Sequence, residues 1–261
     1  MEIFLGLAFL VLAAILAWVA LTLWVMIRVL RHPPRRSISW ALMSQASMTP
    51  DEAGLHVTEW GFCSSDGTEL PAWSAETGDS GPLTVLLHDL SGSRIDQLDH
   101  WLEFGTSDVV IAYDRQGHGE AEGICRLAGQ ERQDLAQLLR QQGSESIRLV
   151  GHGLGASLAL DLARDWQDCP MEIIAFNPWP LELEAIATHL GKTVLPFRPP
   201  VLLLKPALFL AGVHLPRLDA VEPSVQIHLH GDDQVELENW DSLLAGRGAE
   251  IIINHVDRSS R

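Results

Sequence analysis

Four loops place groups capable of nucleophilic or acid–base chemistry at the ends of short apolar runs. Ile147 to Val150 leads into Gly151-His152-Gly153-Leu154-Gly155-Ala156-Ser157 and then into a helical pattern. Small residues around a strand-to-helix turn let the backbone fold sharply enough to present one side chain above a sheet, and that position is 153. Leu86-Leu87-His88-Asp89-Leu90-Ser91-Gly92-Ser93 ends a second run, where a loop can offer backbone N–H groups to a developing oxyanion. His230-Gly231-Asp232-Asp233 ends a third run and His255 a fourth. A hydroxyl, a carboxylate and an imidazole in that order would supply nucleophile, acid and base. The hydroxyl is absent: residue 153 is glycine, with no side-chain atom to attack with.

No neighbouring residue takes its place in an obvious way. Ser157 falls about one turn into the following helix and points away from the apex, so it is expected to pack. Ser91 and Ser93 stand nearer, but their loop should give backbone donors rather than attack. His152 is expected to pack against adjoining loops. Asp89 introduces a carboxylate into the donor loop, where it would oppose developing negative charge. Gly151-x-Gly153-x-x-Ala156 also fits a dinucleotide-binding turn. That reading needs an acidic residue at the end of the next strand, and here Glu172 stands at its start while Asn177-Pro178 stand at its end.

The elements that must position these loops follow from hydrophobic period. His56 to Cys63 and Glu69 to Ala75 read as a hairpin turning at Ser65-Asp66-Gly67. Leu83 to Leu87, Val109 to Tyr113, Ile147 to Val150, Ile173 to Phe176, Val225 to Leu229 and Glu250 to Ile253 read as short strands. Gln130 to Gln141 and Ala156 to Trp166 are helices, the first with Leu135, Leu138 and Leu139 on one face. This alternation predicts an α/β fold with a mostly parallel sheet and helices on both faces. Residues 180–223 interrupt it. Within them Val201 to Leu215 is apolar but broken at Pro206, which reads as a lid, core, or a contact with a bilayer.

With these motifs in view, residues His56 to His255 resemble the α/β-hydrolase family. The turn at 151–155 is similar to its Gly-x-Ser-x-Gly elbow, and Leu86 to Ser93 to its strand ending in His-Gly, with Asp89 in place of the glycine. Tyr113-Asp114-Arg115-Gln116-Gly117-His118-Gly119 resembles its Asp-x-Arg-Gly-x-Gly loop, with Gln116 inserted. The resemblance implies a catalytic acid at Asp232, Asp233 or Gln234, with Asp233 favoured, and a catalytic histidine at His255, both vestigial if Gly153 ends the chemistry. The N-myc downstream-regulated family is similar in lacking a working elbow nucleophile, which implies a pseudoenzyme.

The N-terminus sets where such a domain would work. Ile3 to Ile27 has no charge and no proline, and spans roughly 37 Å as a helix, enough to cross a hydrocarbon core of about 30 Å. Arg28, Arg31, Arg35 and Arg36 follow it and favour the cytoplasmic side for the rest of the chain over a periplasmic or luminal one. The expected organisation is an anchor at 1–30, a linker at 31–50 in which Pro33-Pro34 stop the helix, and a hydrolase-like domain at 51–261 with a lid or insertion at 180–223. A net charge of −16 argues against nucleic acid. Three scattered cysteines, Cys63, Cys125 and Cys169, suggest neither a disulfide framework nor a metal site. No cofactor is implied. The sequence therefore predicts a membrane-anchored binding, scaffold or accessory subunit, with the bilayer, a membrane protein and a lipid or acyl ligand as partners. The alternative is an active hydrolase of small esters or lipids with a non-standard nucleophile.

Overall fold

The computed structural model describes residues 1–36, 38–44, 49–76, 81–104, 109–126, 129–179, 183–212, 225–231 and 250–255. The strands are β1 (Thr58–Cys63), β2 (Glu69–Glu76), β3 (Leu83–Leu87), β4 (Val109–Tyr113), β5 (Ile147–His152), β6 (Met171–Phe176), β7 (Val225–Gly231) and β8 (Glu250–His255). They join in one sheet in the order β1-β2-β4-β3-β5-β6-β7-β8. The β1–β2 hairpin and the β2–β4 pair are antiparallel, and β4, β3, β5, β6, β7 and β8 are parallel to one another.

Every residue of β3 is buried, as a strand with helices on both faces requires. Its side chains divide between two layers. Val85 and Leu87 join Ile111, Leu149 and Ile173 beneath α4 (Gly129–Gln142) and α5 (Leu154–Ala163), where Leu135, Leu138, Leu139, Leu158 and Leu162 complete the core. Leu86 points the other way and meets Val110, Val150 and Ile174 with Leu98 and Trp101 of α3 (Leu98–Phe104). The expected α/β class and its mostly parallel sheet are observed.

Two segments differ from the sequence reading. The apolar N-terminal helix α1 (Glu2–Arg31) is longer than expected and changes character along its length. Ile3 to Leu21 is almost wholly exposed, whereas from Thr22 onward one face is covered and Met26 and Leu30 are fully buried. That face joins a third apolar cluster with α6 (Leu183–Thr193) and α7 (Val201–Ala211). The Cys125 N–H also donates to the Arg31 carbonyl at 2.9 Å. Nor is the expected linker a plain tether: it holds the short helix α2 (Ile38–Ser44), whose Ala41 is buried under the sheet, and Arg36 reaches Asp96 at 2.6 Å.

The second difference is α7, which runs through Pro206 rather than breaking there. A proline in a helix interior removes one hydrogen bond and costs about 3 kcal/mol in isolation. Packing outweighs it here. Leu204, Ala207, Leu208 and Ala211 are buried in the cluster with Met26 and Leu30, while Pro206 itself lies on the exposed side. Gly212 then ends the helix in the left-handed conformation at φ 71°.

Candidate active site

The turn from β5 into α5 has the geometry of a nucleophile elbow. Gly153 adopts φ 51° and ψ −113°, a conformation that side-chain-bearing residues rarely enter. A Cβ on Gly155 would collide with the Leu87 carbonyl oxygen, so the turn closes against β3 only because that residue is small. The backbone retains the strained shape that presents a nucleophile.

The space where that nucleophile would stand is filled from the opposite loop. A Cβ on Gly153 would fall on the carboxylate of Asp89. Asp89 Oδ1 accepts from the Leu154 N–H at 2.7 Å and from the Trp179 indole N–H at 3.2 Å. The Leu154 N–H belongs to the residue after the elbow apex, the donor that would face an oxyanion in acyl transfer. Asp89 thus occupies both the nucleophile's volume and a donor of the oxyanion hole. Ser157 supports the arrangement: its buried hydroxyl accepts from the Trp179 backbone N–H at 2.8 Å and donates to the Gly153 carbonyl at 3.3 Å.

A cleft of about 500 Å³ opens beside this carboxylate, between the loop after β3 and the end of α6. Asp89, His152, His100, Lys192, Arg36 and Asp96 give it a largely polar lining of both signs. His152 stacks on Phe176, 4.6 Å between centroids and 5° from parallel, and on His100 at 4.1 Å. His189 of α6 lies 5.3 Å from Trp179, ring to ring. Burial lowers its pKa against the opposing pull of Asp89.

Comparison with known proteins places this geometry. Esterase Pf2001 of Pyrococcus furiosus superposes with a TM-score of 0.60 at 17% identity, over 86% of this chain and 88% of that one. An α/β hydrolase from Sphaerobacter thermophilus superposes with a TM-score of 0.51 at 15% identity, over 77% and 94%. The fold is the α/β-hydrolase fold. Identities this low show the fold alone. By sequence, the chain is 29% identical over 174 residues to a protein of Enterobacter cloacae that carries the name carbamate hydrolase RutD, covering 60% of this chain and 63% of the relative. It is 33% identical over 112 residues to the RutD of Yersinia enterocolitica, covering 40% of each. The chain thus spans less than two thirds of these relatives' length. No family model matches it.

Within the α/β-hydrolase fold, the loop after β4 is a scaffold. The Asp114 carboxylate accepts from the Arg94 backbone N–H at 2.7 Å and from its guanidinium at 3.1 Å. Arg115 pairs with Glu131 of α4 at 2.6 Å and donates to the His88 carbonyl at 2.8 Å, which holds the Asp89 loop in place. Gln116 donates to the Asp66 carboxylate at 2.9 Å and to Thr68 at 2.8 Å, fastening the β1–β2 turn. One side-chain atom each of His118, Cys125 and Glu131 come within 4.8 Å of one another, a donor set that suits a soft divalent cation. The guanidinium of Arg115 on the other Glu131 oxygen would stand beside such a cation and repel it. We assign the cluster to the buried ion pair.

Of the residues singled out in the sequence, Asp89, Ser91 and His152 line the cleft, and Gly153 stands against the Asp89 carboxylate. Ser93 instead starts the turn into α3, its N–H donating to Asp96 at 2.8 Å. The backbone of His255 ends β8 opposite Gly231 of β7, at the carboxyl edge of the sheet where the elbow lies. Asp232 and Asp233 lie outside the described residues. Trp179, His189, His100 and Lys192 were missed, since nothing in their local spacing marks them. The strand-ending Asn177-Pro178, just before Trp179, was the one available signal.

Two histidines beneath the site make the fold acid-sensitive. His88 and His118 are fully buried, and burial, with the Arg115 charge beside it, holds both well below the ordinary value of 6.5. His88 is neutral by its contacts: Nε2 accepts from the Arg115 N–H at 3.1 Å while Nδ1 faces the Asp89 carbonyl at 2.8 Å. The unfolded chain takes up these protons below about pH 6.5 and the folded chain does not, so stability is intact above that pH and falls below it. The expected slope is about 1.4 kcal/mol per pH unit for each histidine. Denaturant unfolding between pH 7.5 and 5.5 measures it. A flat profile over that range would show that these imidazoles protonate within the fold.

Proposed function

We propose that the chain is a single-pass membrane protein whose α/β-hydrolase-fold domain has given up serine hydrolysis and acts by binding. The carrying observation is the Asp89 carboxylate held by the Leu154 and Trp179 N–H groups in the place of a nucleophile. A buried oxyanion hole can stabilise a transition state only if its donors are free to meet the charge that develops there. Here a resident carboxylate already takes one of them, the Leu154 N–H.

The ligand class follows from the cleft. Arg36 and Lys192 face Asp89 and Asp96 across a polar lining, which suits a small ionic molecule or a lipid headgroup better than a bare acyl chain. Arg36 lies five residues beyond α1, so the cleft stands near the point where a spanning helix would leave the bilayer. Ile3 to Leu21 supports the spanning reading: roughly 28 Å of exposed apolar helix approaches the thickness of a hydrocarbon core. Arg28, Arg31, Arg35 and Arg36 favour a cytoplasmic domain. An accessory role in a membrane complex fits an anchored domain without turnover.

The second reading is an enzyme whose nucleophile is Asp89 itself, favoured by the position of that carboxylate and by esterases among the proteins of similar fold. One assay separates the two: the full chain in nanodiscs, given short and long acyl esters, as wild type, Asp89→Asn and His255→Ala. The binding reading expects no turnover from any of them. Wild-type hydrolysis abolished by Asp89→Asn would establish the enzyme instead. Stoichiometric co-purification from mild detergent is expected for an accessory subunit, and a chain that migrates alone would remove that role.

A further inference from the structure

The outer face of α7 has no partner among the described residues. Leu202 is 87% exposed, Phe209 81% and Leu210 55%, and Pro206 is exposed between them. Positions 202, 206 and 209 recur at three and four residues, so they form one apolar stripe along the helix. Single exposed leucines on a protein surface need no explanation, but a contiguous stripe with an aromatic residue does.

Its neighbours say what covers it. The opposite face of α7 packs on α1, in the cluster that buries Met26 and Leu30, just past the point where α1 stops being exposed on every side. The α7 stripe therefore continues the exposed apolar surface of α1, at the level where Trp24, 60% exposed, would lie in the interfacial layer. Charge agrees. In a chain of net charge −16, residues 28–36 hold four arginines and no acid, and residues 183–212 hold Lys192, Arg198 and Lys205 against Glu184 alone. Glu184 is paired with Arg198, and Arg36 with Asp96, which leaves Arg28, Arg31, Arg35, Lys192 and Lys205 as the excess. The region around the exit of α1 is thus cationic, as contact with anionic headgroups favours.

We propose that α7 is a second lipid contact, lying in the interface beside α1 with Leu202, Phe209 and Leu210 among the acyl chains and Lys205 extended to the phosphate layer. A long lysine side chain on the edge of an apolar stripe reaches polar headgroups without withdrawing its helix from the lipid. The consequence is orientation: two apolar elements fix which face of the domain meets the bilayer, and the cleft bordered by Lys192 of α6 is held close to that surface. This inference rests on the reading of α1 as a spanning helix.

The test places a polarity-sensitive fluorophore on single cysteines at Leu10, Leu202, Phe209 and, as a distant control, Glu145. The full chain, with Cys63→Ser and Cys169→Ser and with the fully buried Cys125 left in place as unreactive, is reconstituted in nanodiscs containing anionic lipid with and without doxyl-labelled acyl chains. Quenching at 202 and 209 comparable to that at 10, with none at 145, is the expected result. Quenching at 10 alone overturns the α7 contact and leaves the spanning helix standing. Absence of quenching at all four positions overturns both. A blue-shifted but unquenched probe at 209 would mean that protein covers the stripe, and would also overturn the proposal. Leu202→Glu with Phe209→Glu, both at exposed positions that the fold does not need, should abolish quenching of a probe at 210 while the chain stays in the membrane.

Discussion

Gly153→Ser alone is expected to yield no ester hydrolysis and to destabilise the domain by about 2.5–4 kcal/mol, whereas Asp89→Gly combined with Gly153→Ser is expected to fold well and to acylate. The reason is spatial before it is chemical. The new Cβ would fall on the Asp89 carboxylate, so Asp89 must leave the Leu154 and Trp179 N–H groups that hold it. Losing charged hydrogen bonds in a partly buried site costs about 1.5–3 kcal/mol, and a side chain at φ 51° adds about 1 kcal/mol more. Removing the carboxylate frees the volume and the oxyanion donor together. A burst of p-nitrophenol from p-nitrophenyl acetate, stoichiometric with the protein, reads acylation directly. A burst from the single variant equal to that from the double would show that Asp89 does not block the site. A well-folded double variant with no burst would place a further defect elsewhere, first at Asp233 and His255, the expected acid and base.

Replacing Glu131 by alanine is expected to cost about 3–5 kcal/mol, among the largest losses any single substitution here would cause. Arg115 and Glu131 are 1% and 2% exposed, so the guanidinium left behind would keep its charge in the core without a partner. Replacing both, as Arg115→Met with Glu131→Leu, should recover most of that loss, because the desolvation of two charges disappears with their attraction. What the double variant does not recover is the Arg115 donation to the His88 carbonyl, which orders the loop carrying Asp89. Thermal melting of the full chain in detergent orders the three proteins. Equal melting of the Glu131→Ala variant and the wild type would mean that water reaches the guanidinium and the pair is not a core element.

The sheet was legible because its signal is local. β3 and β4 have the bounds that the apolar runs of 83–87 and 109–113 predict, since a strand covered on both faces shows in sequence as an uninterrupted run. The elbow was legible for a similar reason: glycines at 151, 153 and 155 report tight backbone packing whether or not a nucleophile sits between them. Asp89 was half legible. Its place in the donor loop followed from the motif, but its capture by Leu154 and Trp179 depends on two segments 65 and 90 residues away. Helix α7 was hidden by Pro206, because local propensity says nothing of the packing on α1 that overrides it. The double character of α1 was hidden too. Hydropathy treats Leu10 and Leu30 alike, although one faces outward and the other is core.

On the proposed reading of α1 as a spanning helix, that double character would give the protein a sense of bilayer thickness. A spanning helix longer or shorter than the surrounding hydrocarbon adjusts by tilting. In a chain with a flexible tether the tilt would stop at the membrane surface. Here residues 22–31 of α1 share a core with Leu90, Leu154 and Trp179, which flank Asp89 and the elbow. On that reading, a lean imposed on the outer part of α1 would pass as a lever through Met26 and Leu30 to that core, and regions of different thickness would hold the Asp89 cleft at different angles and depths.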